Sequence, residues 1–214
     1  MEQKVNYQKK MEEILKREAG RRPRLLLQCC CAPCSSYVLE YLSQYFEIDL
    51  FFYNPNIDTA AEFDLRRREL WRLADEMGLK VGRIAPEYRP EEFLEIAKGL
   101  EDAPEGGPRC KKCFELRLER TAQAAAAGGY DYFTTTLSIS PLKNAALLNA
   151  IGGNLAEKYG VKYLFSDFKK KEGYKRSIQL SAQYGLYRQD YCGCRFSKEQ
   201  REREKTQNIA AADD

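Results

Sequence analysis

Five short apolar runs, each followed by a stretch of helical spacing, constrain this chain more than any other feature. Leu25 to Leu27, Ile48 to Tyr53, Lys80 to Ile84, Tyr130 to Thr136 and Val161 to Phe165 read as strands. Between them lie helices. Tyr37, Val38, Tyr41, Leu42 and Tyr45 form one apolar stripe, and a charged amphipathic helix from Glu62 to Met77 ends at Gly78. Lys111 to Ala127 closes on Gly128 and Gly129, Pro141 to Tyr159 follows as helix, and a last helix covers about Tyr174 to Tyr184. Before the first strand, residues 3–19 predict an exposed helix with Met11, Ile14 and Leu15 on one side, broken by Gly20 and Pro23. Strand and helix alternating in this order predict a single α/β domain, a Rossmann-like (HUP-like) parallel sheet with helices on both faces.

In such sheets ligands bind beyond the carboxyl ends of the strands. The first strand runs directly into CCCAPC, so four of the eight cysteines stand where a site is expected. The others are also paired, Cys110 with Cys113 at a helix start and Cys192 with Cys194 near the end of the chain. The N-terminal segment is charged throughout, and no run of about 20 apolar residues occurs, which predicts a cytoplasmic protein with no membrane contact. Thiols stay reduced there, and eight of them point to metal binding or catalysis before a disulfide framework. Histidine is absent, which excludes a Ser-His-Asp triad, a Cys-His pair and any zinc site that needs imidazole. The 35 basic and 32 acidic residues are too evenly matched to declare a nucleic-acid partner by charge alone. Local basic clusters at Arg66 to Arg68, at Lys169 to Arg176 and at Arg195 to Arg201 read first as solvated faces.

Adjacent Cys30 and Cys31 are expected to diverge, reaching two metals of a larger cluster and not one small ion. That favours a cubane iron-sulfur cluster on Cys30, Cys31, Cys110 and Cys113, with an all-thiolate zinc site on the same four as the alternative. Cys110 at a helix start, with Arg109, Lys111 and Lys112 beside it, is expected to favour thiolate. Cys34 lies one turn past Cys31 and either approaches the metal or is a buried thiol. Cys192 and Cys194 form a strained, electron-passing disulfide, or remain free thiols or ligands. Cys29 reads as structural.

Five motifs in order, CCAPC at 30–34, FYNPNI at 52–57 with Glu62 and Arg66 beyond it, CKKCFELRLE at 110–119, FTTTLSISPLKN at 133–144 and LYRQDYCGCRFS at 186–197, resemble the cobalamin-independent epoxyqueuosine reductases. The resemblance runs from about Leu25 to Ser197. It implies reductive removal of the epoxide oxygen of epoxyqueuosine at the tRNA wobble position, giving queuosine and water. It also implies a [4Fe-4S] cluster with a further metal centre, read as mononuclear iron, no cobalamin, a tRNA substrate, and an electron donor that the sequence does not identify. Cys30, Cys31, Cys110 and Cys113 match the cluster positions. Cys34 falls where a ligand of the extra metal is expected, and Cys192 and Cys194 match a terminal Cys-Gly-Cys pair. Family members usually carry histidine two residues before the Cys-Cys pair and again after the Asn-Pro-Asn-Ile turn; this chain has Gln28 and Asp58, so neither position supplies an imidazole. Residues 24–198 are then the iron-sulfur catalytic domain, 1–23 a helical extension and 199–214 a polar, frayed tail.

Without histidine, the protons must come from a carboxylic acid, tyrosine, lysine or thiol. The candidates are Glu62, Asp167 and Tyr191, each equally readable as an ordinary hydrogen-bonding residue. A wobble nucleoside splayed from a single-stranded loop calls for stacking and phosphate contacts. Arg66, Arg117 and Arg188 are candidates to grip phosphate or base, and Thr135 and Ser138 to bind the cyclopentene diol or merely cap the next helix. Two other classes of function compete. A zinc-stabilised tRNA-binding module would leave the epoxide untouched, and a thiol-disulfide oxidoreductase would use Cys192 and Cys194 alone. An adenylating sulfur-transfer enzyme lacks its Gly-rich phosphate loop here.

Overall fold

The computed structural model describes residues 5–210. Positions 3–4 of the expected first helix and 211–214 of the expected tail lie outside the described residues. Strands β1 (Arg24–Gln28), β2 (Glu47–Phe51), β3 (Gly82–Ile84), β4 (Tyr132–Thr135) and β5 (Lys162–Tyr163) form one all-parallel sheet in the order β3-β2-β1-β4-β5. β1 is central, with Leu25 level with Ile48 on one side and Tyr132 on the other. Its alternating side chains feed two cores. Leu25 and Leu27 pack with Val38, Leu42, Leu70 and Leu73, whereas Leu26 packs with Leu118, Phe133, Leu148 and Ile151.

The helices are α1 (Tyr7–Arg17), α2 (Ala32–Leu42), α3 (Ala60–Glu76), α4 (Pro90–Ala97), α5 (Pro108–Ala127), α6 (Ala145–Tyr159), α7 (Gly173–Gln183) and α8 (Arg195–Ala210). Three of them, and one short turn, differ from the sequence reading. α4 was not foreseen, being only eight residues long. The helix expected from Pro141 begins at Ala145, where Asn144 caps it by accepting from the Leu147 amide at 3.1 Å. A short 3-10 turn, Thr136–Ile139, takes up the chain before it. The frayed tail expected after Lys198 is a helix, because Phe196 packs on Phe93 and ion pairs such as Arg201–Glu204 at 2.8 Å brace the exposed turns.

The chain leaves β1 toward β2 and β3 and returns to place β4 on its other side. The gap beyond the ends of β1 and β4 is therefore the topological switch point, and CCCAPC opens into it.

Candidate metal centre

β1 ends at Gln28 and α2 begins at Ala32, so Cys29, Cys30 and Cys31 make the strand-to-helix turn with Cys31 at the N-cap. Cys29 points away from the opening. It is fully buried and donates to the Leu27 carbonyl, a structural thiol as expected. Cys30, Cys31 and Cys34 converge, with all three sulfurs within 4.8 Å of one another. The divergence expected of neighbouring cysteines is not found: Cys30 and Cys31 Sγ stand 3.8 Å apart, because the N-cap conformation turns Cys31 back toward Cys30. Hydrogen bonds from the Cys31 and Cys34 thiols, with Arg117 and Lys143 nearby, hold the Cys30 thiol well below its usual range. Cys31 is correspondingly pushed up to about 12, and Cys34 well above the usual thiol range, by the bonds they make to Cys30. The trio thus holds one thiolate and two shared protons, which a thiophilic cation would displace.

Cys110 and Cys113 sit in the first turns of α5, one turn apart on one face. Here the expectation of helix-stabilised thiolates fails. Burial raises Cys110 and pushes Cys113 up to about 11, outweighing the helix terminus. The charge of Arg109 lowers Cys110 without offsetting its burial, and its hydrogen bonds go elsewhere. Its guanidinium donates to the carbonyls of Leu100, Glu101 and Ala103 and pins the loop before α5. Cys192 and Cys194 are free thiols with sulfurs 3.7 Å apart, Cys194 in the apolar cluster that also holds Cys113. The hydrogen bond shared with Cys194, with Lys143 nearby, lowers Cys192 to about 5.

These groups share one opening. A cavity of about 280 Å³ is walled by Cys30, Cys31, Cys34, Cys192, Arg66 and Arg117, among others, and a smaller void of about 20 Å³ beside it reaches Cys110, Cys113 and Cys194. Arg117, Lys143, Glu105, Leu142 and Cys192 line both.

Of the predicted oxygen and nitrogen donors, Tyr191, Arg66, Arg117 and Arg188 line the larger cavity. Four others do not. Thr135 is fully buried; its hydroxyl donates to Gln28 Oε1 at 2.7 Å and accepts from the Leu137 amide at 3.1 Å, so it caps the 3-10 turn, the alternative the sequence also offered, and is not free for a ligand. Ser138 is equally enclosed against Ser166, 3.2 Å away. Asp167 pairs with Lys169 at 3.0 Å, and Glu62 pairs with Arg66 at 2.7 Å from behind the cavity wall. Gln28 is buried and hydrogen-bonded to Tyr53, Asn54 and Cys29. Asn54 also accepts from Arg117 Nη2 at 2.5 Å, so the Asn-Pro-Asn turn orients a cavity arginine.

The basic clusters are largely neutralised. Lys169, Lys171, Lys175 and Arg176 pair with Asp167, Glu12, Glu172 and Glu40. Sequence reasoning missed Lys143 and Glu105. Lys143 lies within a quoted motif, yet its neighbours come from other elements; Glu105, in a loop, carries no local signal. Among the described residues the Lys143 ammonium has no hydrogen-bond or ion-pair partner, and no helix is long and apolar enough to cross a membrane.

Residues 25–200 match the family model described as Epoxyqueuosine reductase QueH. Over 203 residues the chain is 46% identical to the epoxyqueuosine reductase QueH of Staphylococcus epidermidis, spanning 91% of this chain and 85% of that one. It is 42% identical over 201 residues to that of Streptococcus pyogenes serotype M1, spanning 91% and 79%, and 40% identical over 192 residues to that of Thermotoga maritima, spanning 87% and 95%.

Proposed function

The chain belongs to the epoxyqueuosine reductase QueH family, and we propose that it reduces epoxyqueuosine in tRNA to queuosine with a [4Fe-4S] cluster and a neighbouring mononuclear iron, without cobalamin. The observation that carries this is that the Cys30–Cys31–Cys34 trio and the Cys110–Cys113 pair line two adjoining voids, joined through the shared Arg117, Lys143 and Cys192, at the switch point. The donor set fits: thiols are the only soft ligands among the residues lining the two voids, and the two groups are spread more widely than the ligands of a single ion. Cys30, Cys31, Cys110 and Cys113 would hold the cluster, and Cys34 the additional iron. When bound, these groups would supply electrons and a Lewis-acid position.

In the reaction both epoxide C–O bonds break, an alkene forms, and the oxygen leaves as water with two electrons and two protons taken up. Tyr191 lines the cavity, and burial, with Glu62 nearby, raises its pKa, so it enters the reaction protonated. We assign it the first proton transfer. Lys143 and Arg117 put positive charge on the wall where oxyanion charge would develop. Arg66 and Arg188 hold the nucleotide, and an unidentified donor protein or small molecule supplies the electrons.

Iron, zinc and sulfide content with an absorption spectrum, on anaerobic wild type and Cys110→Ala, test the assignment. About four or more irons with matching sulfide, lost in the variant, are expected, followed by conversion of epoxyqueuosine tRNA. A second reading, a zinc-stabilised tRNA-binding module, draws on the Cys30–Cys31 separation of 3.8 Å, which is about the edge of a tetrahedron with 2.3 Å zinc-sulfur bonds. One zinc, no sulfide and no turnover in reconstituted protein would favour it.

A further inference from the structure

Large apolar side chains seldom stand exposed together without a partner. At the mouth of the larger cavity two do so. Leu142 is 56% exposed on one lip, and Tyr174, 36% exposed, stands at the start of α7. Ile178, one turn after Tyr174 and 43% exposed, extends the same strip along α7. Among the described residues the Tyr174 hydroxyl has no hydrogen-bond partner, and the ring is not stacked on another aromatic side chain. Its position is fixed by the backbone: Gly173 approaches so closely that an added Cβ would stand 2.1 Å from the Phe168 carbonyl. Arg188 lines the same mouth and is exposed. Its guanidinium has only a hydroxyl partner, Ser181 Oγ at 3.0 Å, and no carboxylate, unlike most cations of the neighbouring clusters.

A flat aromatic face beside an unneutralised guanidinium, at the rim of a pocket lined with cations, suits one kind of occupant: a single-stranded nucleotide, base on the ring and phosphate on the arginine. We infer that Tyr174, with Leu142 and Arg188, seats a nucleobase directly next to the wobble nucleotide, so that the anticodon loop is held open at the cavity mouth while the modified base enters. This rests on the tRNA reading above and adds to it a residue and a contact at the mouth of the reacting pocket.

The test is binding and turnover with Tyr174→Ala and Tyr174→Phe. Dissociation constants are measured for an anticodon stem-loop and for two versions made abasic at the 5′ or the 3′ neighbour of the wobble position. The inference expects Tyr174→Ala to weaken the intact stem-loop about ten-fold or more, Tyr174→Phe to restore it, and one abasic stem-loop to bind wild type and Tyr174→Ala equally. KM for epoxyqueuosine tRNA should rise in parallel, with kcat, iron content and turnover of the free nucleoside unchanged. Equal weakening of intact and both abasic stem-loops, or none, would overturn the seat, as a rim serving an electron-donating protein would give. Because binding is read directly, a wild type that leaves the epoxide intact would sink the proposed reaction while these constants still decide the seat.

Discussion

Arg66 donates from Nη1 to the Cys192 carbonyl at 3.3 Å while Glu62 holds its Nε at 2.7 Å, so helix α3 fixes the terminal Cys-Gly-Cys loop against the cavity. The guanidinium is only 2% exposed, and its Nη2 has no partner. Removing it leaves Glu62 partly buried and unpaired. Arg66→Met should therefore lose about 3 kcal/mol of stability, seen as a lower urea midpoint with an unchanged slope.

Glu62 is engaged by this arginine and stands behind the wall, whereas Tyr191 faces the cavity. Glu62→Gln should lower stability yet leave the shape of the kcat–pH profile intact, while Tyr191→Phe should reduce kcat by about 100-fold with tRNA affinity preserved. A profile that loses a limb in Glu62→Gln would return that carboxylate to the role of acid.

Gly193 adopts φ +114°, and a Cβ there would lie 3.0 Å from Arg66 Nη1 and 3.2 Å from Ile57 Cγ1. The loop is held again by the Asp58 amide, which donates to the Gly193 carbonyl at 2.8 Å. Gly193→Ala combines backbone strain with a displaced arginine and should cost about 2 kcal/mol. Thermal unfolding gives the loss, and a crystal structure of the variant should show Arg66 moved from Cys192.

The difference between what the sequence reveals and what it hides follows from where partners lie. The strands are legible because a parallel sheet covered on both faces makes each one a short apolar run, as Leu25 to Leu27 does. CCCAPC is legible because its ligands lie within one turn of chain. Thr135 and Ser138 are not free for a ligand because Thr135, the last residue of β4, turns its hydroxyl to Gln28 and caps the 3-10 turn, and that turn carries the Ser138 hydroxyl inward to Ser166; no spacing rule foretells the burial. Lys143 is hidden for a related reason. A lysine becomes a site residue only when distant segments, here those of Cys30, Glu105 and Cys192, close around it. α8 is charged around most of its surface and offers no apolar stripe, so its helicity rests on Phe196 and on ion pairs invisible to periodicity.

Cys29 and Cys30 are adjacent and chemically identical, but the structure separates them completely. Cys29 is fully buried among apolar neighbours, and its burial raises the thiol far above the usual range. Cys29→Ala should retain full metal content and activity and lose about 1 kcal/mol of stability, whereas Cys30→Ala should bind less metal. Metal analysis of the two variants, prepared identically, checks the contrast.

Cys192 gives the clearest pH signature. Its thiol is lowered to about 5, chiefly by the hydrogen bond it shares with Cys194 and secondarily because Lys143 lies close. A lowered pKa means that the thiolate persists as pH falls, down to that value. In metal-free reduced protein, alkylation of Cys192 by iodoacetamide should stay nearly constant from pH 8 to about pH 6, where an ordinary thiol slows about ten-fold per pH unit. Cys194→Ala removes the shared hydrogen bond, so the fall in rate should move to higher pH; Lys143→Met should move it the same way by less. Site-resolved mass spectrometry reads each rate. A Cys192 rate that already falls ten-fold between pH 8 and pH 7 in the wild type would mean that the pair does not share its proton.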